Sequence, residues 1–131
     1  MSRRVLPRGV AGPAAFVLVV LLSLVVLFSP GSEVPTGLPV DDKVVHATLF
    51  AALAVTGLLA RLPLVPLALG LVVYAAASEV LQATLPIHRD GDVGDGLADV
   101  LGAVVGLALV LAVRRRRPAG RSVCGGPRAR A

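Results

Sequence analysis

Polar and ionisable side chains recur at helical spacing within otherwise apolar stretches of this chain. They form three groups, Asp42-Lys43-x-x-His46, Glu79-x-x-Gln82 and Asp95-x-x-x-Asp99. Spacings of three and four residues place the members of each group on one face of a helix. Ionisable groups are costly in an apolar environment, so they should face inward and find partners. The pattern therefore predicts a shared site to which three helices contribute.

This combination of side chains suggests two kinds of chemistry. His46 is a candidate general base, oriented by Asp42 one turn earlier, and Asp95 is a second catalytic candidate. Glu79, Asp95 and Asp99 supply carboxylate oxygens, which are the ligands that Mg²⁺ and Ca²⁺ prefer. No nucleophile-bearing motif accompanies these residues, which counts against catalysis. We predict no cofactor, although a divalent cation stays an option.

Four apolar windows must position these residues, at 10–28, 44–62, 64–85 and 97–113. Each is close to the roughly 17–25 residues that a helix needs to cross a bilayer. Hydrophobic residues make up 56% of the 131-residue chain and charged residues only 16%, against about a quarter in soluble domains. The sequence predicts an all-α, four-helix transmembrane bundle.

The basic residues indicate how this bundle is oriented. Eleven of the 13 Lys and Arg residues flank one set of span ends, where no acidic residue occurs, and all eight acidic residues lie on the other side. The positive-inside rule then assigns both termini to the cytoplasm. We predict a basic N-terminus at 1–9, a membrane domain at 10–113 and a basic, disordered tail at 114–131. A cleaved signal peptide is the alternative for the first span, but no A-x-A-like site follows Phe28, which favours a retained helix.

Charge also limits the classes of partner. The net charge of +5 suggests nucleic acid, but the basic residues sit at the ends of apolar runs and are not interleaved with aromatics. Nucleic acid is therefore excluded as a partner, whereas membrane lipids are expected. The single cysteine, Cys124, excludes an internal disulfide. The predicted site faces outward and lies partly within the outer leaflet, with Glu79 about 9 Å below the end of its helix.

Taken together, these residues resemble the VanZ-like family of small bacterial membrane proteins. The resemblance covers about 42–106 and rests on Asp42-Lys43-x-x-His46-x-x-x-Phe50, Glu79-x-x-Gln82, and Arg89 with Asp95, Gly102 and Gly106. The family is named for an accessory factor in resistance to glycopeptide antibiotics, chiefly teicoplanin. It implies a multi-pass protein of the bacterial cytoplasmic membrane. One position departs from the family: Asp99 stands where family members usually have Asn.

The preferred hypothesis is a binding protein for an outer-leaflet amphiphile, either a cell-wall precursor lipid or a glycopeptide antibiotic. The predicted binding residues are Asp42, Lys43, His46, Glu79, Gln82, Arg89, Asp95 and Asp99. The alternative is a membrane-embedded, metal-assisted hydrolase or transferase acting on a lipid headgroup. A path for ions is disfavoured, because the other halves of the spans offer little polarity beyond Thr56. The oligomeric state stays open.

Overall fold

The computed structural model describes residues 9–30, 41–87 and 91–116, and the described residues contain helices and no strands. The helices are α1 (Ala11–Phe28), α2 (Asp42–Leu59), α3 (Leu64–Thr84) and α4 (Val93–Arg116). Each is long and apolar enough to span a membrane. The prediction of an all-α fold with four helices able to span a membrane is therefore confirmed for the described residues. Arg89, Cys124, residues 1–8 and the tail beyond 116 lie outside the described residues.

Two helices begin earlier than the apolar windows predicted, because aspartate side chains cap them. Asp41 accepts a hydrogen bond from the backbone N–H of Lys43, so α2 begins at Asp42 and not at Val44. The carboxylate of Asp92 accepts from the N–H of Gly94, and α4 begins at Val93, four residues before the predicted start. These caps extend α2 and α4 into the polar sequence that carries the candidate site.

The other ends of these helices also differ from the prediction. α2 stops at Leu59, since Arg61 has a φ of 65° and the N–H groups of Arg61 and Leu62 bond back to Leu58 and Gly57. This is the Schellman arrangement, with arginine at the position usually taken by glycine. α4 continues to Arg116, so three of the basic residues assigned to the tail are helical.

Helix α2 lies at the centre of the bundle and contacts the other three helices, most extensively α4. Helices α2 and α4 run parallel, because His46 meets Asp99 near one end and the Leu58 carbonyl accepts from Arg114 near the other. A hydrogen bond between Ser23 and Tyr74 joins α1 to α3. Both of these helices run in the opposite direction to α2. The described ends of α1 and α4 that lead to the termini thus lie at the same end of the bundle.

The contact between α2 and α4 is close because glycine faces it. A Cβ at Gly102 would overlap the carbonyl oxygen of Ala47, and one at Gly106 would lie 2.5 Å from the carbonyl oxygen of Ala51. Small residues at such a spacing let two helix backbones approach each other. This contact fixes the register that brings the polar residues of α2 opposite those of α4.

Candidate functional site

The first two turns of α2 and α4 meet the last turns of α3 at one end of the bundle. Here the structure gathers seven residues that we call the polar cluster: Asp42, Lys43, His46, Glu79, Asp92, Asp95 and Asp99. Five of them carry carboxylates, while Lys43 is the one lysine or arginine among the cluster residues. The cluster is strongly anionic when its carboxylates are ionised.

At the rim of the cluster, Lys43 holds two carboxylates of α4 and its preceding loop. Its Nζ donates to Asp92 Oδ2 at 2.7 Å and to Asp95 Oδ1 at 2.9 Å. The ammonium lowers the pKa of the Asp92 carboxyl below its ordinary value, and the N–H of Gly94 adds to the effect. This ion pair ties the start of α2 to the start of α4.

Beneath the rim, an imidazole and two carboxylates from three helices come together. His46 Nδ1 lies 3.0 Å from Asp99 Oδ1 and 3.9 Å from Glu79 Oε1. The side chains of His46 and Asp99 are 1% and 0% exposed, whereas that of Glu79 is 14% exposed. Asp99, on a different helix, therefore hydrogen-bonds the His46 ring. The sequence suggested Asp42 as this partner. Asp42 is exposed, and one of its carboxylate oxygens lies within 4.8 Å of ligand atoms of His46 and Asp95.

Glu79 joins the loop before α4 to helix α3. Its Oε2 accepts a hydrogen bond of 2.8 Å from the backbone N–H of Asp92. The loop approaches so closely that a Cβ at Gly91 would lie 2.7 Å from the Glu79 carbonyl oxygen. Glu79 is thus level with the start of α4, while Asp99 lies about 9 Å further along that helix. The deepest carboxylate of the cluster is Asp99, although the sequence suggested Glu79.

One predicted binding residue that the structure describes is not brought into the cluster. Gln82 donates through Nε2 to the backbone carbonyl of Leu27 at 2.8 Å, and so links α3 to the end of α1. Arg89 lies outside the described residues, so its place is not assigned. The other six predicted residues all belong to the cluster.

Asp92 is the cluster residue that was missing from the predicted set. Its side chain caps α4 and binds Lys43, and its backbone N–H binds Glu79. The sequence carried a signal for this role, because an aspartate three residues before an acidic residue, here Asp95, resembles the start of a capped helix.

Two apolar cavities lie along the described helices. One, of about 370 Å³, lies between α1 and α3 and reaches Leu62 and Pro63 at the opposite end from the cluster. The second, of about 430 Å³, we call the α2–α4 groove, and it starts at Lys43. It is lined by Lys43, Val44, Ala47, Thr48, Ala51, Leu101, Gly102 and Val105. An apolar channel thus leads away from the charged rim.

Comparison with protein-family models, curated proteins and solved structures finds no match to this chain.

Proposed function

We propose that this chain is a VanZ-like protein of the bacterial cytoplasmic membrane that binds an outer-leaflet amphiphile. Both termini are then cytoplasmic, and the polar cluster faces outward. The order of the motif residues along the chain supports the family assignment. The charge asymmetry between the two ends of the spans supports the orientation.

The observation that carries the binding proposal is the α2–α4 groove. Its walls are mostly apolar and small residues of two membrane-spanning helices, and the charged side chain of Lys43 lies at one end. A long apolar chain fits such an open groove, since it gives up contact with lipid tails for contact with apolar side chains. A polar headgroup would then lie against the rim formed by Lys43, Asp92 and Asp95.

The charges at the rim indicate what kind of headgroup is bound. Lys43 is shared between two carboxylates, and further carboxylates of the cluster stand close by. A headgroup that carries an amine or several hydroxyl groups would donate hydrogen bonds to these oxygens. Cell-wall precursor lipids and lipid-tailed glycopeptides both combine such heads with a long apolar chain.

The enzymatic alternative requires His46 to accept a proton from a substrate or from water. Its ring is 1% exposed. Nδ1 is paired with Asp99, so Nε2 would have to act as the base, and this atom is buried away from solvent and from any headgroup in the groove. A general base must come within hydrogen-bond distance of the proton that it removes. The described conformation therefore favours binding over hydrolysis or group transfer on a lipid headgroup.

Filling the groove tests the proposal. Thr48→Phe places an aromatic ring in the groove, whereas Thr84→Phe is a matched control on α3, because both threonines are exposed and bond the carbonyl four residues earlier. Each protein is purified in mild detergent with its native lipids, and the bound molecules are identified by mass spectrometry. We expect wild type and Thr84→Phe to retain an amphiphile that Thr48→Phe loses.

Equal retention by all three proteins would contradict groove binding. Incubation of the same samples with total envelope lipid separates the two functions. A lipid that is cleaved or modified only by the wild type would establish the enzymatic alternative. Growth of a bacterial host in teicoplanin, with and without each variant, then tests whether a glycopeptide is the ligand.

A further inference from the structure

Three buried polar atoms of the cluster have no hydrogen-bond partner among residues 9–30, 41–87 and 91–116. They are His46 Nε2, Glu79 Oε1 and Asp99 Oδ2. The three residues come from α2, α3 and α4, and one ligand atom from each lies within 4.8 Å of the others. A buried polar group without a partner is destabilising, and its presence often marks a bound ion or water. All three atoms belong to the same group of side chains.

The distances within this group suit a metal ion. Transition metals bind imidazole nitrogen and carboxylate oxygen at about 2.0–2.2 Å, so neighbouring ligand atoms lie about 3.0–3.4 Å apart in octahedral or tetrahedral geometry. His46 Nδ1 is 3.0 Å from Asp99 Oδ1 and 3.9 Å from Glu79 Oε1. Nδ1 and Oδ1, which share a hydrogen bond in this structure, are thus at the separation of two metal ligands, and Glu79 Oε1 is less than an ångström too far from Nδ1. A metal ion bound there would replace this hydrogen bond and give the unpartnered Glu79 Oε1 a partner.

Charge gives a second reason to expect a cation. Asp99 is fully buried and Glu79 nearly so, while the ammonium of Lys43 is bonded to Asp92 and Asp95. Two ionised carboxylates beside a neutral imidazole in an apolar bundle are costly, because burial removes their hydration. A divalent cation would neutralise both carboxylates and occupy the space between them.

A neighbouring group of possible ligands is less suitable. Asp42, His46 and Asp95 also bring ligand atoms within 4.8 Å of one another. There, however, the ammonium of Lys43 lies 2.9 Å from Asp95 Oδ1 and would repel a metal ion. The two groups share His46, and only the group with Glu79 and Asp99 lacks a direct contact with Lys43 among the described residues.

We propose that His46, Glu79 and Asp99 form a binding site for a divalent transition metal such as Zn²⁺. One imidazole with two carboxylates suits Zn²⁺ and its neighbours better than Mg²⁺ or Ca²⁺, which prefer all-oxygen sites. Asp95, a metal candidate from the sequence, is replaced in this set by His46. The site does not depend on the α2–α4 groove, so it stands or falls independently of amphiphile binding.

Metal titration of the full chain tests the site. Protein purified in detergent is stripped with a chelator and titrated with Zn²⁺, followed by elemental analysis, and with Co²⁺, whose visible absorption reports coordination by imidazole. We expect one metal ion per chain and a loss of affinity of about 100-fold in Asp99→Asn, since even outer partners of a ligand change affinity by 10–100-fold. Asp41→Asn is the control, because it changes an exposed carboxylate at the same end and keeps the oxygen that caps α2.

A second variant separates lost ligation from lost folding. Glu79→Gln changes the least buried of the three ligands, and its folding is checked by size-exclusion chromatography and thermal unfolding. A folded Glu79→Gln protein with weakened Zn²⁺ binding and altered Co²⁺ absorption supports the site. The proposal is overturned if wild-type protein binds neither metal, or if wild type and folded Glu79→Gln bind them equally.

Discussion

Asp92 connects three helices through three different groups. One carboxylate oxygen accepts from the N–H of Gly94 and the other from the ammonium of Lys43, while the backbone N–H donates to Glu79. The residue thus fixes where α4 begins and ties that point to α2 and α3. Its side chain is half exposed, so its carboxylate can be protonated from solvent.

The Asp92 carboxyl predicts a pH dependence of stability. Because its pKa is lowered from 3.8 by Lys43 and by the Gly94 N–H, its contribution is present above that value and is lost as the pH falls through the lowered pKa. We expect Asp92→Asn to lose less thermal stability than wild type between about pH 7 and pH 3. Thermal unfolding of both proteins in detergent measures the difference, since the other carboxyl groups titrate in each. An equal loss would show that the ion pair with Lys43 adds nothing.

Which residues belong to the candidate site was largely predictable, because ionisable side chains are conspicuous in apolar sequence. Their pairing was not. His46 and Asp99 are 53 residues apart, and nothing local to either residue specifies the other. The pairing depends on the register between α2 and α4, which a single sequence leaves open. Gln82 shows the opposite case. It has the spacing of a site residue, yet its side chain bonds a backbone carbonyl of α1 and not the cluster.

At the scale of the elements, the contact between α2 and α4 sets that register. Two glycines of α4 lie against backbone carbonyl groups of α2, at Ala47 and Ala51. The contact lies within two turns of His46 and Asp99, so a change in the helix separation would also change their distance. Close packing of these two helices and assembly of the polar cluster are therefore coupled.

Gly102→Ala tests this coupling. The added Cβ meets the Ala47 carbonyl oxygen and must push the helices apart, so we expect a loss of about 1–3 kcal/mol in the free energy of unfolding. Gly70→Ala is the control, because a Cβ at Gly70 has nothing within 4 Å and alanine favours a helix. Unfolding by sodium dodecyl sulfate measures both. A Gly102→Ala protein as stable as Gly70→Ala would mean that the helices do not need this close approach.

The apolar windows predicted that four helices exist, but not where they end. Hydropathy detects lipid-compatible residues, whereas α2 and α4 begin at polar caps that no such window includes. The end of α2 was missed for another reason. The left-handed position after a helix is usually glycine, but here it is Arg61. No glycine therefore marks the turn before α3 in the sequence.

At the scale of the whole molecule, the bundle is arranged around α2, which is the most buried of the four spans. Helices α1 and α3 run against it, α4 runs with it, and α1 and α4 do not contact each other among the described residues. The polar cluster lies at one end of this arrangement and Arg114–Arg116 at the other. The positive-inside rule predicts orientation from such a separation of charge. The predicted orientation can be tested directly.

Thiol labelling in bacterial spheroplasts tests the predicted orientation. Cys124 lies outside the described residues but follows α4, so we expect a membrane-impermeant maleimide to react with it only after the membrane is permeabilised. Pro86→Cys in a Cys124→Ser background is the complementary probe, because Pro86 is exposed beyond the end of α3. It should react without permeabilisation. The reverse pattern would place the polar cluster on the cytoplasmic side.

The pairing of α2 with α4 also determines how the protein can be assembled during its synthesis. Helix α2 carries Lys43 and His46, yet Asp95 and Asp99 leave the ribosome 52 and 53 residues later. Until then the nascent hairpin of α2 and α3 contains an ammonium group whose carboxylate partners do not yet exist. The span with the lowest hydropathy is therefore translated before the helix whose carboxylates pair with its lysine and histidine, and these pairs can form only after α4 has been translated.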